Sequence, residues 1–167
     1  MGILNSLRSW NFFKIDSTIR VYSNTGGFGI DGCVSSLLGA ALASPQKTFY
    51  GIVGDLAFFY DMNVMGNRYF PGNVRLIIIN NGKGQEFKNL SSAASRFGED
   101  TDPYIAAAGH FGNCSRTLIK DYVSNLGLEY LTADSKESFN KAKERFFTEP
   151  SKDGKAIIFE IFTTTQD

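Results

Sequence analysis

Five short β-prone runs separated by helical patterns constrain this chain more than any other feature. They are IRVYS (Ile19 to Ser23), KTFYGIVG (Lys47 to Gly54), VRLIIIN (Val74 to Asn80), LEYLT (Leu128 to Thr132) and KAIIFEIF (Lys155 to Phe162). Three of them are nearly continuous in apolar residues, as a strand covered on both faces requires; a strand with one wet face would alternate. Between them lie DGCVSSLLGAALAS, LAFFYDMNVMG, SRTLIKDYVSNLG and SKESFNKAKERFF, all helical in pattern. Strand alternating with helix predicts an α/β fold, a doubly wound, mostly parallel sheet with helices on both faces.

The stop signals agree with those boundaries. Pro45 and Gly127 each sit just past a helical pattern, and Ser135 with Ser138 can cap the last helix. The opening LNSLRSWNFF reads as a short amphipathic helix leading into the first strand. No repeat, low-complexity tract or long linker interrupts the chain, and its 167 residues suit one domain.

Seventeen basic and seventeen acidic residues balance. Nothing in that balance suggests a polybasic nucleic-acid groove or membrane patch, and small or protein-like partners are expected. Cys33 and Cys114 are too few for a disulfide framework and lack zinc-site spacing, so a reduced, cytoplasmic protein is expected. The start shows no basic leader with an apolar core, and no window reaches the length of a membrane span.

Ligands of open α/β sheets bind beyond the carboxyl ends of the strands, so the residues that follow each run carry the functional reading. SNTGGFGIDG follows the first, with Gly26, Gly27, Gly29 and Gly32 crowded into one turn. Such a turn can offer backbone N–H groups to a phosphate, but G-x-G-x-x-G spacing, a ribose-binding acid and a G-K-[ST] triplet are all missing. A plain tight turn fits as well as a nucleotide site. Gly54-Asp55 follows the second run and NNGKGQEF, Asn80 to Phe87, the third.

Asn80 and Asn81 follow Asp55 by 25 and 26 positions, about one strand-helix-strand crossover. Asp55 and Asn81 can therefore meet at one sheet edge. A carboxylate, an amide oxygen and a nearby backbone carbonyl are hard donors that suit magnesium or calcium. The plainer alternative is that Asp55 caps the next helix and Asn80-Asn81 forms a turn.

GDLAFFYDMN followed by LIIINNGKGQEF resembles the diphosphate and metal motif of thiamine-diphosphate-dependent enzymes, with matching spacing. The upstream NSLRSWNFF and SNTGGFGIDGCVSSLLGAA resemble the menaquinone-pathway branch of that family. The resemblance implies a thiamine-diphosphate-binding fold with thiamine diphosphate and Mg2+ as cofactors. Asp55 and Asn81 would give side-chain oxygens to the metal, and Lys83, where the family usually has glycine, a backbone carbonyl. Gly54, Leu56 and Ala57 would sit at the diphosphate. Ile30 would prop the cofactor in the bent form that brings its pyrimidine amino group to the thiazolium carbon.

The pattern departs from that branch at three places. Trp10 and Thr25 stand where it has arginine, and Glu86 where it has isoleucine. Bidentate arginine is the strong way to hold a carboxylate, so the loss favours another 2-oxoacid decarboxylase or carboligase over the menaquinone reaction itself. Family members also need a pyrimidine-binding domain, which 167 residues cannot include. The expectation is thus a single diphosphate-binding domain over residues 1–167, the C-terminal part of a larger or split enzyme, inactive alone. It would partner a pyrimidine-binding domain of the same or a second chain and a 2-oxoacid, within a homo-oligomer. Gln85 and His110 are the catalytic candidates, although a lone histidine after a short Ala-Gly run better fits a packing role. Two rivals remain at this point: a degenerate binding or assembly domain, and a nucleotide-binding Rossmann-like domain.

Overall fold

The apolar runs pair with one another in the computed structural model, which describes residues 1–2, 5–25, 29–89, 92–109, 114–150 and 154–164. β1 (Phe49–Gly54), β2 (Val74–Asn80), β3 (Glu129–Ala133) and β4 (Ile157–Phe162) form one parallel sheet in the order β1-β2-β4-β3. Six helices accompany it among the described residues: α1 (Asn5–Trp10), α2 (Cys33–Ala43), α3 (Asp55–Asp61), α4 (Asp102–Ile105), α5 (Leu118–Asn125) and α6 (Lys136–Phe146).

Both faces of the sheet are covered, which explains the unbroken apolar runs. On one face Val53, Leu76, Ile78 and Ile158 pack against Val34 of α2, Phe58 of α3, and Ile119 and Val123 of α5. On the other, Ile157 and Phe159 pack with Phe146 of α6. The aromatic run after Asp55 divides accordingly, Phe58 facing the core and Tyr60 the solvent. α6 opens on a reciprocal capping box between Ser135 and Ser138, and Gly127 takes φ of 76° just past α5.

One expected strand is missing. Residues 19–23 form no strand, and Ile19, Val21 and Tyr22 are exposed. Gly2 N–H takes the carbonyl of Ile52 on β1, and Met1 in turn bonds Tyr22 and Asn24. The chain start thus lies between β1 and this segment, which has no strand to pair with. α1 forms as expected but has no buried residue. The helical pattern after Asp55 shortens to seven residues and continues as a 3-10 turn over Met62–Gly66.

The far end of the sheet is held by Arg75, which is 1 % exposed. Its guanidinium donates to the carbonyls of Gly72 and Val74, binding together the turn that enters β2. Cys33 and Cys114 are not joined in a disulfide. No helix among the described residues is long and apolar enough to cross a membrane.

Candidate functional site

Asp55 is the first residue of α3, directly after β1, and Gly54 caps the helix with extended backbone and no side chain. The neighbouring β2 ends at Asn80, so the loops that leave the two strands start side by side. Asp55 is 2 % exposed. Its Oδ1 accepts the N–H of Leu56 at 2.8 Å and its Oδ2 the N–H of Gly82 at 2.6 Å. Desolvation raises its pKa from 3.8 to about 6, against the pull of those backbone N–H groups.

Gly82 shares its N–H with Asn80 Oδ1 at 3.1 Å, and Lys83 N–H donates to Asn81 Oδ1 at 3.2 Å. Each asparagine oxygen therefore accepts from the residue two positions on, so the turn expected of Asn80-Asn81 exists, and Gly82 within it reaches Asp55. The loop can turn this tightly because Gly82 has φ of 80°, where a side chain would be strained. Next to it, a Cβ on Gly84 would lie 2.8 Å from Leu56 Cδ2, so the loop rests directly on the start of α3.

A second segment clamps the loop from outside. Gly84 N–H donates to Ile105 at 2.7 Å and Ala107 N–H to Gly82 at 2.8 Å, around a bridge between Lys83 and Ala106. The ammonium of Lys83 reaches Asp102 Oδ2 at 2.5 Å, and Lys88 pairs with the other carboxylate oxygen. Desolvation works to raise the Asp102 pKa, yet the two lysines hold it below its ordinary value. The side chain of Lys83 is thus committed to Asp102.

The other expected residues fall as follows. Gln85 opens a 3-10 turn, its N–H on the Lys83 carbonyl at 3.1 Å, and its Oε1 is buried with no hydrogen-bond partner. Leu56 and Ala57 lie in the first turn of α3. Ile30 precedes α2, and its carbonyl accepts from Cys33 Sγ at 3.6 Å. Phe87 is exposed. His110, Gly26 and Gly27 lie outside the described residues. Arg8 of α1 pairs with Glu86, so the acid that departs from the family pattern has a cation beside it.

A buried polar chain escaped the sequence reading. Glu160, wholly buried on β4, accepts from Asn80 Nδ2 at 2.5 Å and from the Tyr130 hydroxyl at 2.6 Å. Its signal was the single acid inside IIFEIF. An acid has no place in a two-sided apolar strand unless donors meet it.

The donors gathered at the loop are oxygens from one carboxylate, two amides and backbone carbonyls. Among the described residues no group of three or more His, Cys, Asp or Glu forms a metal cluster. Such a set does not suit zinc; it fits a hard cation that completes its shell with phosphate oxygens and water.

Comparison with known proteins gives this geometry its context. The 2-succinyl-5-enolpyruvyl-6-hydroxy-3-cyclohexene-1-carboxylate synthase of Christiangramia forsetii is 33% identical over 162 residues, covering 97% of this chain and 26% of the relative. The same synthase of Flavobacterium psychrophilum is 35% identical over 162 residues, 97% of this chain and 27% of the relative. That of Bacteroides fragilis is 30% identical over 159 residues, 95% of this chain and 27% of the relative. This chain is homologous to one region of these synthases, which are members of the thiamine-diphosphate-dependent enzyme family. It spans about a quarter of the length of the synthases it matches. With 162 of 167 residues aligned, the likeness to the synthases takes in the sheet and the loops at its carboxyl edge. No family model matches the chain.

Proposed function

We propose that this chain is the diphosphate- and Mg2+-binding domain of a thiamine-diphosphate-dependent 2-oxoacid decarboxylase or synthase-like transferase. A pyrimidine-binding domain, in the same or a second chain, would complete it within a homo-oligomer. The observation that supports the reading is the Gly82 N–H on Asp55, which ties the loop carrying Asn81 to the start of α3.

The residues fit the group. Asp55 is a buried acid whose proton affinity is raised by desolvation, and a divalent cation beside it would restore the charged form. Asn81 Oδ1 and the Lys83 carbonyl would complete the protein's share of the metal shell. Gly54, Leu56 and Ala57 would border the diphosphate, the Leu56 N–H turning from Asp55 Oδ1 to a phosphate oxygen as Asp55 turns to the metal. Ile30 would support the cofactor's bend, and the unpartnered Gln85 Oε1 would accept a donor from cofactor or substrate. When bound, thiamine diphosphate supplies the carbanion chemistry; the domain supplies position, charge neutralisation and exclusion of water.

The substrate class follows from charge. Thr25 and Trp10 offer no cation, and Arg8 is engaged by Glu86, so a 2-oxoacid with fewer carboxylates than the synthase reaction's suits this site. A second reading, a degenerate assembly domain, is favoured by one observation: both oxygens of Asp55 already accept backbone N–H groups.

Calorimetric titration of thiamine diphosphate, with and without Mg2+, separates the two. Binding that requires Mg2+ is the expected result. Silence both from the chain alone and with a pyrimidine-binding domain supplied would leave the assembly domain.

A further inference from the structure

Three residues on one face of the sheet form a hydrogen-bonded chain that ends at the metal loop. Glu160 lies opposite Ile78 on β2 and Thr132 on β3. Asn80 and Tyr130 stand two positions from those partners, hence on the same face and within diagonal reach. The carboxylate of Glu160 takes the Asn80 amide on one oxygen and the Tyr130 hydroxyl on the other.

An acid at the centre of an apolar sheet is a poor way to gain stability, because a well-packed apolar residue of the same size usually does as well or better. What Glu160 does provide is direction. Its two oxygens accept from the Asn80 amide and the Tyr130 hydroxyl, so the Asn80 amide turns its NH2 toward Glu160 and its oxygen toward the loop. The backbone of Asn80 is already fixed, its carbonyl accepting Thr163 N–H at 3.0 Å. The amide orientation is therefore the remaining freedom, and it decides whether Oδ1 can receive the Gly82 N–H. That N–H also reaches Asp55. A flipped amide would set its oxygen against the carboxylate and its NH2 against the Gly82 N–H, losing both bonds.

We propose that Glu160 is a positioning residue for the metal loop, acting through the Asn80 amide, with Tyr130 holding its second oxygen. The loop's task as a metal site rests on the reading under Proposed function; the control of its shape does not.

Two readouts keep those claims apart. In the metal-free chain, exchange of the Gly82 amide is followed by NMR in wild type, Glu160→Leu, Glu160→Gln and Tyr130→Phe, with Ile78 as the strand reference. Glu160→Leu is expected to speed Gly82 exchange roughly tenfold relative to Ile78, the equivalent of one lost hydrogen bond. Glu160→Gln, whose Oε1 still accepts from Asn80 while its NH2 faces Tyr130, should retain the wild-type ratio. Equal acceleration of Gly82 and Ile78 in Glu160→Leu, or none, would overturn the proposal. If Glu160→Leu does not fold, Tyr130→Phe decides: selectively faster exchange at Gly82 supports it, and an unchanged ratio overturns it. The second readout is the Mn2+ dissociation constant in the presence of thiamine diphosphate. It should weaken in Glu160→Leu and recover in Glu160→Gln. Absence of Mn2+ binding to wild type would count against the metal site and leave the exchange result to judge Glu160.

Discussion

The N–H of Gly82 donates to Asp55 Oδ2 at 2.6 Å, tying the carboxyl end of β1 to that of β2. Two loops that leave neighbouring parallel strands are thereby held as one unit. The bond is short, buried and made to an acid, the kind whose loss leaves a group without a partner.

The same burial gives Asp55 a pH signature in metal-free protein. Its carboxyl keeps a proton up to about pH 6 when folded but loses it near pH 3.8 when unfolded. Between those values the native state binds more protons, so stability falls as pH rises through the window and levels off above it. The loss is on the order of 3 kcal/mol for two pKa units. Denaturant unfolding in chelator at about pH 4 and about pH 7 should show a fall in wild type that exceeds the fall in Asp55→Asn, in which Glu160, also raised by burial, remains. Parallel pH profiles for the two proteins would contradict it.

Asp102 holds two ammonium groups, from Lys83 and Lys88, at the outer wall of the loop. Asp102→Ala should cost about 1–2 kcal/mol, more than an exposed ion pair because these groups are partly buried. It should also speed exchange of the Gly84 and Ala107 amides, which the clamp protects. Thermal unfolding and amide exchange check both effects, and Asp102→Asn should fall between wild type and Asp102→Ala.

Gly72 lies in the turn before β2, where a Cβ would meet the Gly154 carbonyl oxygen at 1.8 Å. Backbone cannot swing aside as a side chain can. Gly72→Ala should therefore destabilise the protein by about 1–3 kcal/mol or more. Gly39, with nothing within 4 Å of an added Cβ, is the control; Gly39→Ala lies inside α2 and should stabilise slightly. Melting temperatures of the two variants give the comparison.

What was legible in the sequence followed from local rules. The runs that became β1, β2 and β4 needed only their apolar continuity, and α6 needed Ser135 and Ser138. That the loops carrying Asp55 and Asn81 leave neighbouring strand ends was legible because crossover length fixes which strand ends are neighbours. Residues 19–23 have equal β propensity, but a strand needs a partner and Gly2 takes the Ile52 carbonyl on β1. Lys83 with Asp102, and Asn80 with Glu160, join residues 19 and 80 positions apart. No local pattern announces such pairs; only the fold brings them together.

The most direct test of the proposed metal site is the Mn2+ dissociation constant in the presence of thiamine diphosphate, read by electron paramagnetic resonance. Wild type, Asp55→Asn and Asn81→Ala are compared, the pyrimidine-binding domain being supplied to all three. The account predicts that Asp55→Asn weakens binding by about 10–100-fold, as loss of one charged ligand should, and Asn81→Ala by about tenfold. Equal Mn2+ affinity in all three proteins would contradict the account, because the cation would then be held somewhere other than the loop that Gly82 closes on Asp55.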